Sequence, residues 1–211
     1  MTSKAPIALE DRAATGARLS SPSAGRNRDV IAAALAARLP EGARVLEIAS
    51  GTGEHALACV TARPDLDWRP SDPDAASRAS VDGWAEDAAG RIAPALDVDT
   101  IKAGWADGLG PVEAVFCANM IHIAPWEACE GLFAGAAEVL TPGGELILYG
   151  PFLEGEATAP SNLEFDASLK RRDPRWGVRA LADLDARLGL ERVERAGMPA
   201  NNLITVWRRR A

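Results

Sequence analysis

Apolar positions along the chain follow two alternating periods. Between Arg26 and Leu39, the residues Val30, Ile31, Leu35 and Leu39 recur at helical spacing, and Pro40 stops the run. Ala43 to Ile48 is a short apolar run without alternation, the pattern of a strand buried on both faces. Glu54 to Ala62 predicts a helix and Asp67 to Asp72 a second strand, with Pro73 placed to open the next helix. Ile92 to Asp97 gives a third strand, and Glu113 to Ala118 a fourth that is continuously apolar. From Pro125 onward, Trp126, Cys129, Leu132, Phe133, Ala136, Ala137 and Leu140 trace one helical face. Thr141-Pro142-Gly143-Gly144 then turns the chain into a fifth strand, Glu145 to Tyr149.

After a polar stretch from Pro151 to Ser161, helices are expected near Leu163 to Lys170 and Val178 to Leu188. Leu190 to Arg195 and Leu203 to Trp207 are the last two strands. Met198 to Asn202 between them leaves no room for a crossover helix, so this pair is expected to be antiparallel. Strands alternating with helices predict an α/β fold, a doubly wound, mostly parallel seven-stranded sheet with a terminal antiparallel hairpin. Residues 1–19 read as a flexible leader and residues 20–211 as one domain. A ligand is expected across the carboxyl ends of the strands.

Composition narrows the partners. The 211 residues are 47% hydrophobic and 25% charged, as in an ordinary soluble globular protein, with a net charge of −7. Such a balance offers no broad basic surface for a phosphate backbone, which disfavours nucleic acid. Arg208-Arg209-Arg210 is read as the solvated end of a strand. No stretch suits a signal peptide, and Val30 to Ala37 is too short to span a bilayer, so no membrane association and a cytoplasmic location are expected. Cys59, Cys117 and Cys129 form no CxxC pair and read as buried core thiols. With only His55 and His122 as histidines, no metal cluster is expected.

The chemistry concentrates at strand ends. Glu47-Ile48-Ala49-Ser50-Gly51-Thr52-Gly53 carries an acid before a glycine turn. Asp72 lies nineteen residues beyond Gly53, where an acid can accept both hydrogens of a ribose diol, or cap the next helix. Cys117-Ala118-Asn119-Met120-Ile121-His122 ends the fourth strand. His122 there is either a general base or a structural core histidine. Tyr149, the only tyrosine, ends the fifth strand, where its hydroxyl reaches an acceptor or is satisfied in the core.

The acid and glycine turn resemble the first motif of class I S-adenosylmethionine-dependent methyltransferases, with Ala49 where their common form has glycine. Alanine permits a close approach there but disfavours a left-handed backbone. The resemblance implies S-adenosylmethionine as cofactor, with Ala49, Ser50, Gly51 and Gly53 against it and Glu47 facing its ammonium. The helix after the turn would direct its N-terminal N–H groups toward the cofactor carboxylate. Asp72 would hold the ribose, while Asp97 and the backbone of Val98 would read the adenine. Asn119 would support the amine.

A wider set of marks includes Ser20-Ser21-Pro22-Ser23, Arg26-Asn27, Asn119-Met120-Ile121-His122-Ile123, Tyr149-Gly150-Pro151-Phe152 and Met198-Pro199-Ala200-Asn201-Asn202. Together they resemble the methyltransferase-like family catalogued as domain of unknown function 938, from about Ser20 to Arg209. Arg26, Asn27, Asn201 and Asn202 are then candidates for binding a small-molecule acceptor. His122 and Tyr149 are the candidate catalytic side chains.

Two other readings stand beside this one. Gly51-Thr52-Gly53-Glu54-His55-Ala56 also satisfies the GxGxxA pattern of an NAD-dependent oxidoreductase. The position of Glu47, the terminal hairpin and the missing Tyr-x-x-x-Lys pair weigh against it. A protein that binds S-adenosylmethionine without turnover would keep the same turn.

Overall fold

A computed structural model describes residues 12–187 and 189–209. The chain opens with two short strands, β1 (Ala13–Thr15) and β2 (Arg18–Ser20), followed by helix α1 (Pro22–Arg38). Then come β3 (Arg44–Ile48), α2 (Glu54–Ala62), β4 (Asp67–Ser71), α3 (Ala75–Ala85) and β5 (Val112–Ala118). The second half runs α4 (Trp126–Val139), β6 (Leu140–Pro151), α5 (Pro160–Arg172), α6 (Leu181–Arg187), β7 (Leu190–Met198) and β8 (Asn202–Arg209).

The main sheet has the order β4-β3-β5-β6-β8-β7. Strands β4, β3, β5 and β6 are parallel, and β8 runs antiparallel to both β6 and β7. The chain leaves β3 toward β4 and later returns to β5 on the other side of β3. The direction of winding reverses between β3 and β5, and in open α/β sheets ligands bind beyond the carboxyl ends of the strands at such a switch point.

Strand periodicity divides the core. Val45, Phe116, Ile147 and Val206 pack in one cluster with Ile31 and Leu35 of α1 and Ala56 and Val60 of α2. Leu46, Val115, Leu148 and Trp207 pack in another with Leu132 and Phe133 of α4 and Leu184 of α6. Phe133 meets Trp207 edge to face, with ring centroids 5.0 Å apart. Each such fully buried large side chain contributes roughly 1.5–3 kcal/mol through burial.

Several expectations are corrected here. The main sheet has six strands, not seven, because Ile92 to Asp97 forms only isolated parallel bridges to β4, Trp68 with Ile92 and Ser71 with Leu96. Pro94 lacks an N–H and interrupts the ladder between those bridges, as proline does on an edge. Residues 12–19 are not a loose leader: β1 and β2 pair as an antiparallel hairpin, while residues 1–11 lie outside the described ones. Thr141 to Gly144 falls within β6 as an irregularity, since the register between β5 and β6 shifts between Val112 and Ala114. Both α1 and α5 begin earlier than expected, each with a proline in its first turn.

Helix α4 is latched to the loop before β5. Thr100 Oγ1 donates to the Ala128 carbonyl at 3.0 Å, and the Trp105 indole donates to the Gly131 carbonyl at 2.9 Å. A Cβ on Gly131 would stand 1.8 Å from the Thr100 carbonyl oxygen. Gly131→Ala is therefore expected to reduce stability by about 1–3 kcal/mol, read as a lower urea midpoint. An unchanged midpoint would mean that the latch carries no load.

Candidate active site

The site is built on the turn from β3 to α2. Ala49, Gly51 and Gly53 have φ values of 57°, 61° and 92°. The expectation for Ala49 is corrected: it adopts the left-handed backbone despite its Cβ, at a cost of roughly 1–2 kcal/mol that the surrounding bonds hold in place. The Ser50 N–H donates to the Ser71 carbonyl at 2.8 Å, and the Gly53 N–H to the Ser50 carbonyl at 3.1 Å. A Cβ on Gly53 would fall 2.8 Å from Val81 Cα, so glycine lets α3 approach the turn. On the open side, a Cβ on Gly51 would meet only Arg12, at 3.7 Å.

Asp72 sits just past β4 and locks that turn. One of its oxygens accepts from the Gly51 N–H at 2.9 Å and the other from the Asp74 N–H at 2.9 Å. Burial raises its pKa, while the two amide bonds and the charge of Arg12 oppose the shift. The cap of α3 is Asp74, whose carboxylate accepts from the Ser77 N–H at 2.9 Å. Helix α3 thus starts at Ala75 rather than at Pro73, and Asp72 is left to the turn.

Glu47 is buried with 1% of its surface exposed, and its Oε2 accepts from the Trp68 indole at 2.9 Å. Burial pushes its carboxyl up to about 7, against bonds from Trp68 and Ser50. Ser71 Oγ donates to the Glu47 carbonyl at 2.7 Å, joining β3 to β4 at the turn. Past the interrupted edge, Asp97 is exposed and Val98 buried. Arg78 Nη1 donates to the Asp72 carbonyl at 2.8 Å, and Nη2 lies 3.4 Å from Asp97. Arg78 thereby ties the Asp72 backbone to the Asp97 carboxylate.

At the end of β5, Asn119 has a φ of 61°, and its N–H donates to the Tyr149 carbonyl at 2.8 Å. His122 is buried edge-on to Phe152, with ring centroids 5.2 Å apart. The Arg179 N–H donates to its Nδ1 at 3.3 Å, and its Nε2 has no partner among the described residues. Burial first, and then the Arg179 charge, lowers its pKa to about 3. A ring held neutral in this way is a weak proton acceptor.

Tyr149 is 2% exposed within the α1–α2 cluster, its side chain hydrogen-bonded to Asn27. Asn27 also meets His55 Nε2 at 2.8 Å. These three side chains link β6, α1 and α2, with Tyr149 buried and Asn27 and His55 half-buried.

Arg26 is exposed on the first turns of α1. Asn201 and Asn202 instead shape the β7–β8 turn. Asn201, at a φ of 57°, donates to Ser161 Oγ at 3.0 Å, and Asn202 donates to the Pro199 carbonyl at 3.0 Å. The three cysteines are buried and free; burial raises the Cys59 and Cys117 thiols and pushes Cys129 up to about 12.

Sequence reasoning missed three residues of the site: Arg12 over the turn, Arg78 between the Asp72 carbonyl and Asp97, and Glu54. The buried Glu54 carboxylate accepts from the Ser21 N–H at 2.8 Å and Thr52 Oγ1 at 3.0 Å, and pairs with Arg28 at 3.2 Å. An acid at the first position of α2 was the one local signal, because carboxylates favour helix N-termini.

A mostly parallel sheet with an antiparallel hairpin at one edge, and a glycine turn at its switch point, has the architecture of the Rossmann-like methyltransferases. The chain belongs to the family described as "Protein of unknown function (DUF938)", which residues 18–209 match. Its fold is shared with an O-methyltransferase family protein from Burkholderia thailandensis, at a TM-score of 0.74 and 16% identity, covering 90% of this chain and 57% of that one. An O-methyltransferase family 2 protein from Planctomyces limnophilus, solved with apigenin, matches at 0.71 and 19% identity, covering 89% and 60%. The SAH-bound form of CalO1, a methyltransferase in calicheamicin biosynthesis, matches at 0.69 and 19% identity, covering 90% and 61%. The chain thus spans less than two thirds of each of these structures. Among the described residues, no helix is long and apolar enough to cross a membrane.

Proposed function

We propose that the chain is an S-adenosylmethionine-dependent methyltransferase acting on a small-molecule acceptor. The observation that carries this reading is the Gly51 N–H held by Asp72 beneath the open side of the turn. In this reading the Asp72 carboxylate, whose two oxygens each hold one backbone N–H, also takes the ribose diol. Ala49, Ser50, Gly51 and Gly53 supply the floor, Asp97 and Val98 the adenine end, and Asn119 the side toward the amine. Glu47 serves as a positioning residue through Ser50 and Trp68, and the exposed Arg26 lies on the acceptor rim. Asn27, Asn201 and Asn202 hold that rim in shape, Tyr149 with them through Asn27.

Bound S-adenosylmethionine supplies an already activated methyl group, so the chain has to align the acceptor and exclude water. An oxygen acceptor is favoured by the O-methyltransferase family proteins that share the fold. Neither His122 nor Tyr149 is needed as a base for an acceptor that arrives ionised.

S-adenosylhomocysteine at about a hundred times its Kd is expected to raise Tm by about 5–10 °C, and NAD to leave it unchanged. Stabilisation by NAD alone would instead establish the oxidoreductase reading. Incubation with labelled donor and a panel of phenols, carboxylic acids and thiols then separates an enzyme from a binder.

A further inference from the structure

We propose that Arg12 is a cofactor-binding residue whose guanidinium takes the carboxylate at the amino-acid end of the methyl donor. This inference rests on the methyl-donor reading given above.

An anionic ligand group finds few partners at this turn. The Gly51 N–H is taken by Asp72 and the Gly53 N–H by the Ser50 carbonyl. The first turn of α2 also carries the buried carboxylate of its own Glu54, held by the Ser21 N–H, Thr52 Oγ1 and Arg28, which adds negative charge at that helix end. Asp72 and Asp74 lie beside the turn, so an entering carboxylate meets negative charge there. A cation has to offset it.

Arg12 is placed to do so. Its Nη2 is 3.7 Å from where a Cβ on Gly51 would stand, and its Nη1 donates to Ser77 Oγ at 3.2 Å. The neighbouring cations are committed: Arg18 to Glu86 and Asp87, Arg28 to Glu54, Arg78 to Asp97. Among the described residues Arg12 has no ion pair, and Ser77 is its one hydrogen-bond partner. Its charge is felt at Asp72, where it opposes the effect of burial.

The β1–β2 hairpin fixes this position from behind. The Leu19 N–H donates to Ser80 Oγ at 2.7 Å, the Trp84 indole donates to the Leu19 carbonyl at 2.9 Å, and the Arg18 guanidinium lies over the Trp84 ring. Arg12 also precedes the span that matches the family, which begins at residue 18.

The test is calorimetric binding of S-adenosylhomocysteine and of 5′-methylthioadenosine, which lacks the amino-acid end. Both ligands are measured on the native protein, Arg12→Ala and Arg12→Lys. Arg12→Ala is expected to weaken S-adenosylhomocysteine by about tenfold or more while changing 5′-methylthioadenosine by less than about twofold. Arg12→Lys should recover part of the loss. An equal loss for both ligands would assign Arg12 to hairpin docking, and no loss for either would remove it from the site. Either result overturns this proposal alone, whereas failure of the native protein to bind S-adenosylhomocysteine overturns the methyl-donor reading with it.

Discussion

Glu47→Gln is expected to gain about 3 kcal/mol of stability relative to the native chain between about pH 5 and about pH 8. The folded protein holds a proton on Glu47 up to about 7, against an ordinary value of 4.5. Between those values the native state binds more protons than the unfolded chain, so stability contributed by neutral Glu47 is lost as pH rises through the window. Glutamine keeps an acceptor for the Trp68 indole and does not titrate.

His55 and His122 act in the opposite direction. Burial, with the charge of a nearby arginine, lowers them to about 4 and about 3, so the unfolded chain takes up their protons first as pH falls below about 6.5. In the native protein Glu47 offsets part of this acid sensitivity, and Glu47→Gln should expose it. Urea unfolding of both proteins across the window is the measurement. Parallel profiles would show that Glu47 is ionised in the folded state at every pH tested.

Asp72→Asn is expected to weaken S-adenosylhomocysteine by about a hundredfold, because a charged acceptor shared with a diol is lost. The same change turns an NH2 group toward one of the two N–H donors now held at 2.9 Å, and should cost about 1–3 kcal/mol of stability. Asp74→Asn provides the contrast. It keeps an acceptor for the Ser77 N–H at the start of α3, and asparagine caps about as well as aspartate. Binding is expected to survive it. Equal losses of affinity in the two variants would place the ligand's contact on the α3 cap rather than on Asp72.

What could be read from the sequence was local. The glycine turn, Asp72 and the β7–β8 hairpin follow from residues within a few positions of one another, where apolar period and turn chemistry decide. Trp68 on Glu47, and Asn27 joining His55 to Tyr149, cannot be read this way, since their partners meet only when separate strands and helices pack. Pro94 in the third predicted strand was a visible signal that the edge would be interrupted. Ala49 and the hairpin at residues 13–20 went against local propensity, because tertiary bonds hold an alanine left-handed and give alanine-rich strands a place to dock.

The anchoring of that hairpin has a consequence for how the arm can evolve. Leu19 is gripped through its main-chain N–H and carbonyl, while Ala13 to Thr15 face outward and are exposed. A dock made by the Leu19 backbone and the Arg18 side chain of β2 is indifferent to the outward side chains of β1. Sequence drift along β1 can therefore alter the exposed face of the arm without loosening its grip.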